Sequence, residues 1–436
     1  MNQPPQHSSV PSLFLRGAIA TLASGSLLAG GFTPARAALD ESPKTVVDEV
    51  WQLVNQQYVD TDFNQDDWKA TRLELLERQY SDRMAAYEAI RDALKKLGDP
   101  YTRFLDPEEF EDLTSQTSGE LSGVGIRLEM NESTQKLTIV EPIPDSPAEA
   151  AGVESGDEIV AINGEPTALM ELDEASALIR GELGTQVRLT LERQSEAFEL
   201  VLTRAQIELP TVSYSLRLEN NLRVGYIKLD EFSSHAAEQM RDAIEDLSRQ
   251  DAQGYILDLR GNPGGLLFAS IEIARMWMES GEIVYTVDRL GGDRHFSANN
   301  TAMTDLPLVV LVDGRSASAS EILAGALKES ARATIVGTRT YGKGTVQSVS
   351  SLSDGSGLAV TVSRYFPPSG LNISRQGIEP DIVTELSQED RRRLIADPDA
   401  RATTGRDPQY ASAISVLVGD PVTRLTRSAA TPIPTR

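Results

Sequence analysis

The chain of 436 residues contains no cysteine and three histidines, His7, His235 and His295. Cysteine catalysis is excluded, and a histidine-based triad has few candidates. His235 sits in Ser233-Ser234-His235-Ala236-Ala237, where it reads as a surface or capping residue at the start of a helix rather than a base. His295 lies in a polar loop with no assigned role. There is no Gly-x-Ser-x-Gly elbow and no His-Glu-x-x-His zinc pair. Positive charge is also short: 41 Lys and Arg stand against 65 Asp and Glu, a formal net charge of −24. Such a surface argues against nucleic acid and anionic lipid as general partners and favours solubility.

The first 37 residues read as an export leader. Arg16 closes a polar start, residues 17–31 form a short apolar core, and Ala35-Arg36-Ala37 is a small-x-small cleavage site. The core is too short for a confident span, and no second segment is long and apolar enough to cross a bilayer. The expected destination is a periplasm or a thylakoid lumen, which the absence of cysteine fits.

Residues 38–115 are expected to be largely helical. Val46, Val47, Val50, Trp51, Val54 and Tyr58 recur at helical spacing, a second pattern runs from Trp68 to Leu76, and a third from Ala85 to Leu97 stops at Gly98-Asp99-Pro100. Asp60-x-Asp62-x-Asn64 imitates a calcium loop, but Gln65 stands where glycine is needed and Thr71 where the bidentate glutamate belongs. Residues 116–208 alternate short strands and turns, with Gly123-Val124-Gly125-Ile126 at the front and an Asn163-Gly164 turn further on. Residues 209–385 hold three apolar strands, at Val224–Ile227, Gly254–Leu259 and Leu308–Val312. Helices near 236–248, 268–280 and 319–329 separate or follow them, the alternation of a layered α/β core. Residues 386–436 are mostly polar, and the tail from Pro421 is expected to be disordered.

The chemistry concentrates in Gly314-Arg315-Ser316-Ala317-Ser318-Ala319-Ser320-Glu321-Ile322-Leu323 and in Tyr341-Gly342-Lys343-Gly344-Thr345-Val346-Gln347. The first places a serine at the mouth of a helix; the second places a lone lysine between two glycines. A serine hydroxyl needs a base, and a lysine becomes one when burial destabilises its ammonium. Two plainer readings compete. Ser318-x-x-Glu321 is also a capping box. The stretch 337–344 is one residue from a phosphate-binding loop, but Gly344 replaces the Ser or Thr that would hold magnesium, and a strand pattern follows instead of a helix.

Three blocks in order, Ile256-Leu257-Asp258-Leu259-Arg260-Gly261-Asn262-Pro263-Gly264-Gly265, the Ser-Ala-Ser-Ala-Ser-Glu run and Gly-Lys-Gly-Thr-Val-Gln, resemble the carboxyl-terminal processing peptidases, most nearly their cyanobacterial and plastid members. The resemblance covers nearly all of the chain after the leader. It implies that Ser318 is the nucleophile, that Lys343 is the base, and that Gln347 orients the lysine. The backbone N–H groups of Ala319 and Gly264 would be the oxyanion donors. It also implies that 116–208 is a PDZ-like domain, whose Gly123-Val124-Gly125-Ile126 loop would hold a peptide's terminal carboxylate on backbone N–H groups. The expected molecule is a multidomain α/β (α+β) protein: a leader (1–37), a helical region (38–115), an inserted PDZ-like β domain (116–208), a layered protease core (209–385) and a C-terminal segment (386–436). Its expected activity is serine endopeptidase cleavage near the C-termini of proteins with free carboxyl ends, through an acyl-enzyme and with no metal or cofactor. The rival is a peptide-binding scaffold without catalysis.

Overall fold

The computed structural model describes residues 42–131, 134–396 and 405–419. The leader and the tail beyond Gly419 lie outside these residues. So does the expectation of disorder placed on that tail.

Three helices open the described chain: α1 (Pro43–Gln57), α2 (Trp68–Glu77) and α3 (Arg83–Lys95). Asp67 and Asp82 cap α2 and α3 by accepting the N–H groups of Ala70 and Ala85, which satisfies donors that a helix start leaves free. The apolar stripe of α1 is buried as its spacing predicts, through Val46, Val47, Val50, Trp51 and Val54. Trp68 and Leu75 of α2 join that core, whereas Leu73 is exposed. A short strand β1 (Arg103–Leu105) follows, then α4 (Pro107–Ser118), which starts on an Asp106–Glu109 capping box and stops at left-handed Gly119.

Two strands, β2 (Glu120–Gly123) and β9 (Ala205–Glu208), pair antiparallel and form a neck. Between them lies a separate β unit. It contains β3 (Ile126–Met130), β4 (Leu137–Pro142), a one-turn helix α5 (Pro147–Ala150), β5 (Glu158–Ile162), β6 (Glu165–Pro166), α6 (Leu172–Ile179), β7 (Gln186–Arg193) and β8 (Glu196–Thr203). Its sheet runs β3-β4-β5-β7-β8, with β6 on β5. Its core is its own, built from Ile139, Ile159, Ile162, Val187, Leu189 and Leu191.

The chain then builds a mixed sheet of six strands: β10 (Val212–Glu219), β11 (Leu222–Leu229), β12 (Gly254–Asp258), β15 (Leu308–Val312), β16 (Ala333–Gly337) and β19 (Ile382–Val383), in that spatial order. All pairs but the β10–β11 hairpin are parallel. Three helices pack into the core on one face, α7 (Ala236–Arg249), α8 (Leu267–Trp277) and α9 (Ala319–Glu329). A second sheet holds β1, β13 (Glu282–Asp288), β14 (Asp293–Ser297), β17 (Thr345–Ser351) and β18 (Gly357–Phe366), with β18 at its centre. The N-terminal helices bury their apolar faces against Phe104, Leu358 and Val360 of that sheet and Leu352 just beyond β17, so β1 ties the helical region to the rest of the chain.

The other face of the parallel sheet is closed by part of the segment that reads as mostly polar. Residues 408–418 form a helix whose Tyr410, Ala413 and Ile414 pack on Val224, Ile256, Val309 and Val336. A shorter helix, α10 (Gln388–Ala396), precedes it, so Pro408–Val418 is α11. A parallel sheet needs cover on both faces, and the run Tyr-Ala-Ser-Ala-Ile-Ser-Val-Leu-Val supplies it. A buried ion network fixes this cover. The Arg260 guanidinium bonds Asp258 at 2.6 Å and Asp407 at 2.8 Å. Tyr226 donates to Asp258 at 2.8 Å.

Candidate functional site

The chain leaving β15 turns through Asp313–Ala317 and enters α9 at Ser318. That serine has φ 55 and ψ −114, a left-handed backbone that costs a side-chain-bearing residue about 1–3 kcal/mol. Such strain at the start of a helix lifts the residue out of the regular turn. Its neighbours in the serine run are spent on structure: Ser316 Oγ donates to Leu259 O at 2.8 Å and Ser320 Oγ to Asn262 O at 3.1 Å, both fully buried. Ser318 is half-buried and opens onto the cleft.

The capping-box reading holds. Glu321 reaches back to accept Ser318 N–H at 2.9 Å, but it does more than cap. The same carboxylate accepts Lys343 N–H at 2.9 Å, Gly342 N–H at 2.7 Å and the Thr340 hydroxyl at 2.5 Å. Glu321 is 1% exposed. Burial raises its pKa above the ordinary carboxylate value, against the pull of those donors. Tyr365, on β18, makes a second link: its hydroxyl donates to the carbonyl of Ser318 at 3.1 Å and to that of Lys343. Neither role is announced by the sequence. The Glu at the third position after Ser318 was visible but looked like an ordinary cap, and Tyr365 lies in a strand with no local signal.

Lys343 follows β16 in a loop that returns to β17. Gly342 has φ 91, and a Cβ there would stand 2.9 Å from the backbone nitrogens of Arg375 and Gln376, so only glycine lets this loop close around the lysine. Burial lowers the Lys343 pKa; the nearby Arg103 charge adds to the shift, and Asp99 and Glu321 oppose it. Nζ lies 4.9 Å from the centre of the Tyr101 ring. Gln347, four residues on, donates to Thr345 Oγ1 at 2.9 Å and Thr361 Oγ1 at 3.2 Å.

Ser318, Ala319, Gly264, Lys343 and Gln347 all line one cleft of about 440 Å³, together with Leu266, Ile322 and Tyr365. Gly264 has φ 111, and a Cβ on it would come within 2.8 Å of Ser318 Cβ, which brings that backbone against the serine. Its N–H, expected as an oxyanion donor, is engaged: it donates to the buried Asn262 Oδ1 at 2.8 Å. A donor already satisfied by a rigid side chain has nothing to give an oxyanion until that bond opens. The Gly123-Val124-Gly125-Ile126 segment lies elsewhere, in a groove of about 450 Å³ between β3 and α6. Leu121, Leu128, Leu172 and Ile179 make that groove apolar, and Glu231 lines both it and the serine cleft. His235 is no base. It lies outside the serine cleft, with its ring bonded to Glu120 at 2.8 Å, and makes no side-chain cap.

A strained serine at a helix start, a half-buried lysine with a lowered pKa and a separate apolar groove are the features of a serine-type peptidase carrying a PDZ domain. Residues 223–384 match peptidase family S41 and residues 138–193 match the PDZ domain. The chain is 44% identical over 402 residues to a carboxyl-terminal-processing protease of Synechocystis sp., covering 92% of each. It is 40% identical to the chloroplastic carboxyl-terminal-processing peptidase 3 of Arabidopsis thaliana, over 77% of this chain and 67% of that one. A solved photosystem II D1 C-terminal processing protease superposes with a TM-score of 0.51 at 37% identity, over 79% of this chain and 93% of the other. The chain belongs to the carboxyl-terminal processing peptidases of family S41.

Proposed function

We propose that the chain is an exported endopeptidase in which Ser318 attacks the scissile carbonyl and Lys343 takes the hydroxyl proton. The observation that carries this reading is the lysine: it lines the same cleft as Ser318, half-buried, and its pKa is lowered by desolvation, the direction a lysine needs to act as a base. The proton passes from Ser318 Oγ to Lys343 Nζ as the Oγ–C bond forms. The resulting ammonium then protonates the leaving amine as the C–N bond breaks. Water, deprotonated by the same lysine, releases the acyl group. Ala319 N–H, the first amide of α9, serves the oxyanion. Gly264 joins it once its N–H leaves Asn262, so productive binding includes opening of that 2.8 Å bond. Gln347 orients the lysine after turning from its two threonine partners.

The β3–α6 groove takes the substrate's C-terminus. Its Gly123–Ile126 backbone receives the carboxylate, and a side chain of the peptide fills the apolar floor. The substrates are proteins with free, apolar carboxyl ends in a periplasm or thylakoid lumen. Among the described residues no helix is long and apolar enough to cross a membrane. A scaffold without catalysis would leave Ser318 with no reason to hold a strained backbone. Mass mapping of the products from a protein substrate tests the reading. One internal cut near the C-terminus is expected, abolished in Ser318→Ala and in Lys343→Ala. Stepwise loss of single residues from the end would overturn it.

A further inference from the structure

The base is not housed by the protease core alone. Tyr101 comes from the segment that follows α3, more than 200 residues upstream of Lys343 in the sequence, yet its ring centre lies 4.9 Å from Lys343 Nζ. That is within the distance at which a ring face attracts an ammonium, roughly 6 Å. Nζ makes no salt bridge among the described residues. The charged groups that face it are Arg103 from the same segment, which disfavours the ammonium, and Asp99 and Glu321, which favour it. Tyr365, whose hydroxyl donates to the Lys343 carbonyl, is pushed well up by burial and stays neutral.

The turn that carries the ring is held on both sides. Tyr101 N–H donates to Asp99 Oδ1 at 3.0 Å. Thr102 Oγ1 donates to Asp99 Oδ2 at 2.7 Å and accepts Thr361 N–H at 3.0 Å. From Arg103 the chain is locked into the ladder with β18. The Tyr101 phenol is pushed up to about 12, first by burial and then by its bond with Tyr341, so it stays protonated. It offers Lys343 a neutral π face and no phenolate.

We propose that Tyr101 is a positioning residue for the base: its ring holds the ammonium that forms on Lys343 when Ser318 gives up its proton. The inference rests on the assignment of Lys343 as base. It makes the N-terminal helical region part of the catalytic apparatus, because β1 and the Asp99–Thr102 turn are what carry the ring to the lysine. The ring stabilises the charged lysine against the desolvation that makes it a base. It thereby sets both how strong the base is and where on the pH scale it becomes available.

Two substitutions separate the ring from its hydroxyl. Tyr101→Phe keeps the π face and loses the bond to Tyr341; Tyr101→Leu keeps an apolar wall and loses the π face. The rates of peptide cleavage and of fluorophosphonate labelling at Ser318 are measured against pH in the full chain. With the ring gone, the ammonium loses the attraction of the ring face. The acid limb of Tyr101→Leu is therefore expected to move to lower pH by roughly 0.4–1.5 units, with a reduced plateau from the weaker base. Tyr101→Phe is expected to keep the wild-type limb. An unmoved limb in Tyr101→Leu overturns the proposal, and so does a Tyr101→Phe limb displaced as far as that of Tyr101→Leu. If Tyr101→Leu does not fold, Tyr101→Trp gives the opposite sign: its stronger π face is expected to raise the limb, and a lowered or unmoved limb overturns the proposal. Lys343→Ala is run beside them. Retained labelling there defeats the base assignment itself, whereas a dead Lys343→Ala with an unmoved Tyr101→Leu limb defeats only the role of Tyr101.

Discussion

Glu321 Oε2 accepts the backbone N–H of Lys343 at 2.9 Å, and the same oxygen accepts Ser318 N–H at 2.9 Å. One buried carboxylate oxygen thus fixes the spacing of the two residues assigned to nucleophile and base, although 24 residues separate them in the chain. Hydrogen bonds to an ionised acceptor are the stronger kind, so Glu321 works best as a carboxylate despite its burial.

Glu321→Gln places an amide NH₂ where one of these oxygens was. Facing N–H donors on both sides, the new group leaves at least one donor unpaired, at roughly 1–3 kcal/mol. The expected outcome is a folded protein whose kcat falls about ten- to a hundred-fold, with KM little changed because the peptide groove is untouched. Steady-state kinetics beside a thermal melt check this; wild-type kcat in a folded variant would contradict it.

The three serines of the Ser-Ala-Ser-Ala-Ser run predict different losses. Ser316 and Ser320 bond to backbone carbonyls of neighbouring loops, so Ser316→Ala and Ser320→Ala cost stability of about 1 kcal/mol each and leave cleavage largely intact. Ser318→Ala removes cleavage and leaves the melting temperature near wild type. Activity and melting temperature measured on all three separate the roles.

Activity is expected to rise with pH through the neutral-to-alkaline range. Burial and the Arg103 charge lower the Lys343 pKa from its ordinary 10.5, and only the neutral amine accepts a proton. The acid limb therefore lies below that value, and the rate falls as pH drops through it. A maximum in strongly acidic buffer would contradict a lysine base.

The PDZ groove predicts a dependence on the substrate's end. A peptide with a free carboxylate should be captured more tightly than its amide by roughly 1–3 kcal/mol, the range for hydrogen bonds to a charged group. Equal cleavage rates for the two forms at sub-saturating concentration would remove the targeting step.

Much of this molecule is legible in its sequence because the decisive residues are close together along the chain. The 318–321 turn, the Gly-Lys-Gly loop and the apolar strands at 254–259 and 308–312 declare themselves locally. What stayed hidden is long-range. Tyr365 and Tyr101 reach the site from a strand and a turn with no chemical signature, and only folding brings them to Lys343. The amide of Gly264 looked like a free donor because nothing local announces that Asn262 folds back onto it. Helix α11 was read as part of a polar segment, since its apolar stripe is short and gains meaning only against the bare face of the parallel sheet. Ile414→Ala should therefore cost about 2–5 kcal/mol, the cost of a core residue, as denaturant unfolding would show.

The site of covalent attack is the most direct test of the Ser318–Lys343 pair. The chain is incubated with a fluorophosphonate at mildly alkaline pH, digested and mapped by mass spectrometry. The adduct is predicted on Ser318, absent from Ser316 and Ser320, and lost in Lys343→Ala while the variant stays folded. An adduct elsewhere, or undiminished labelling of Ser318 without Lys343, would contradict the account.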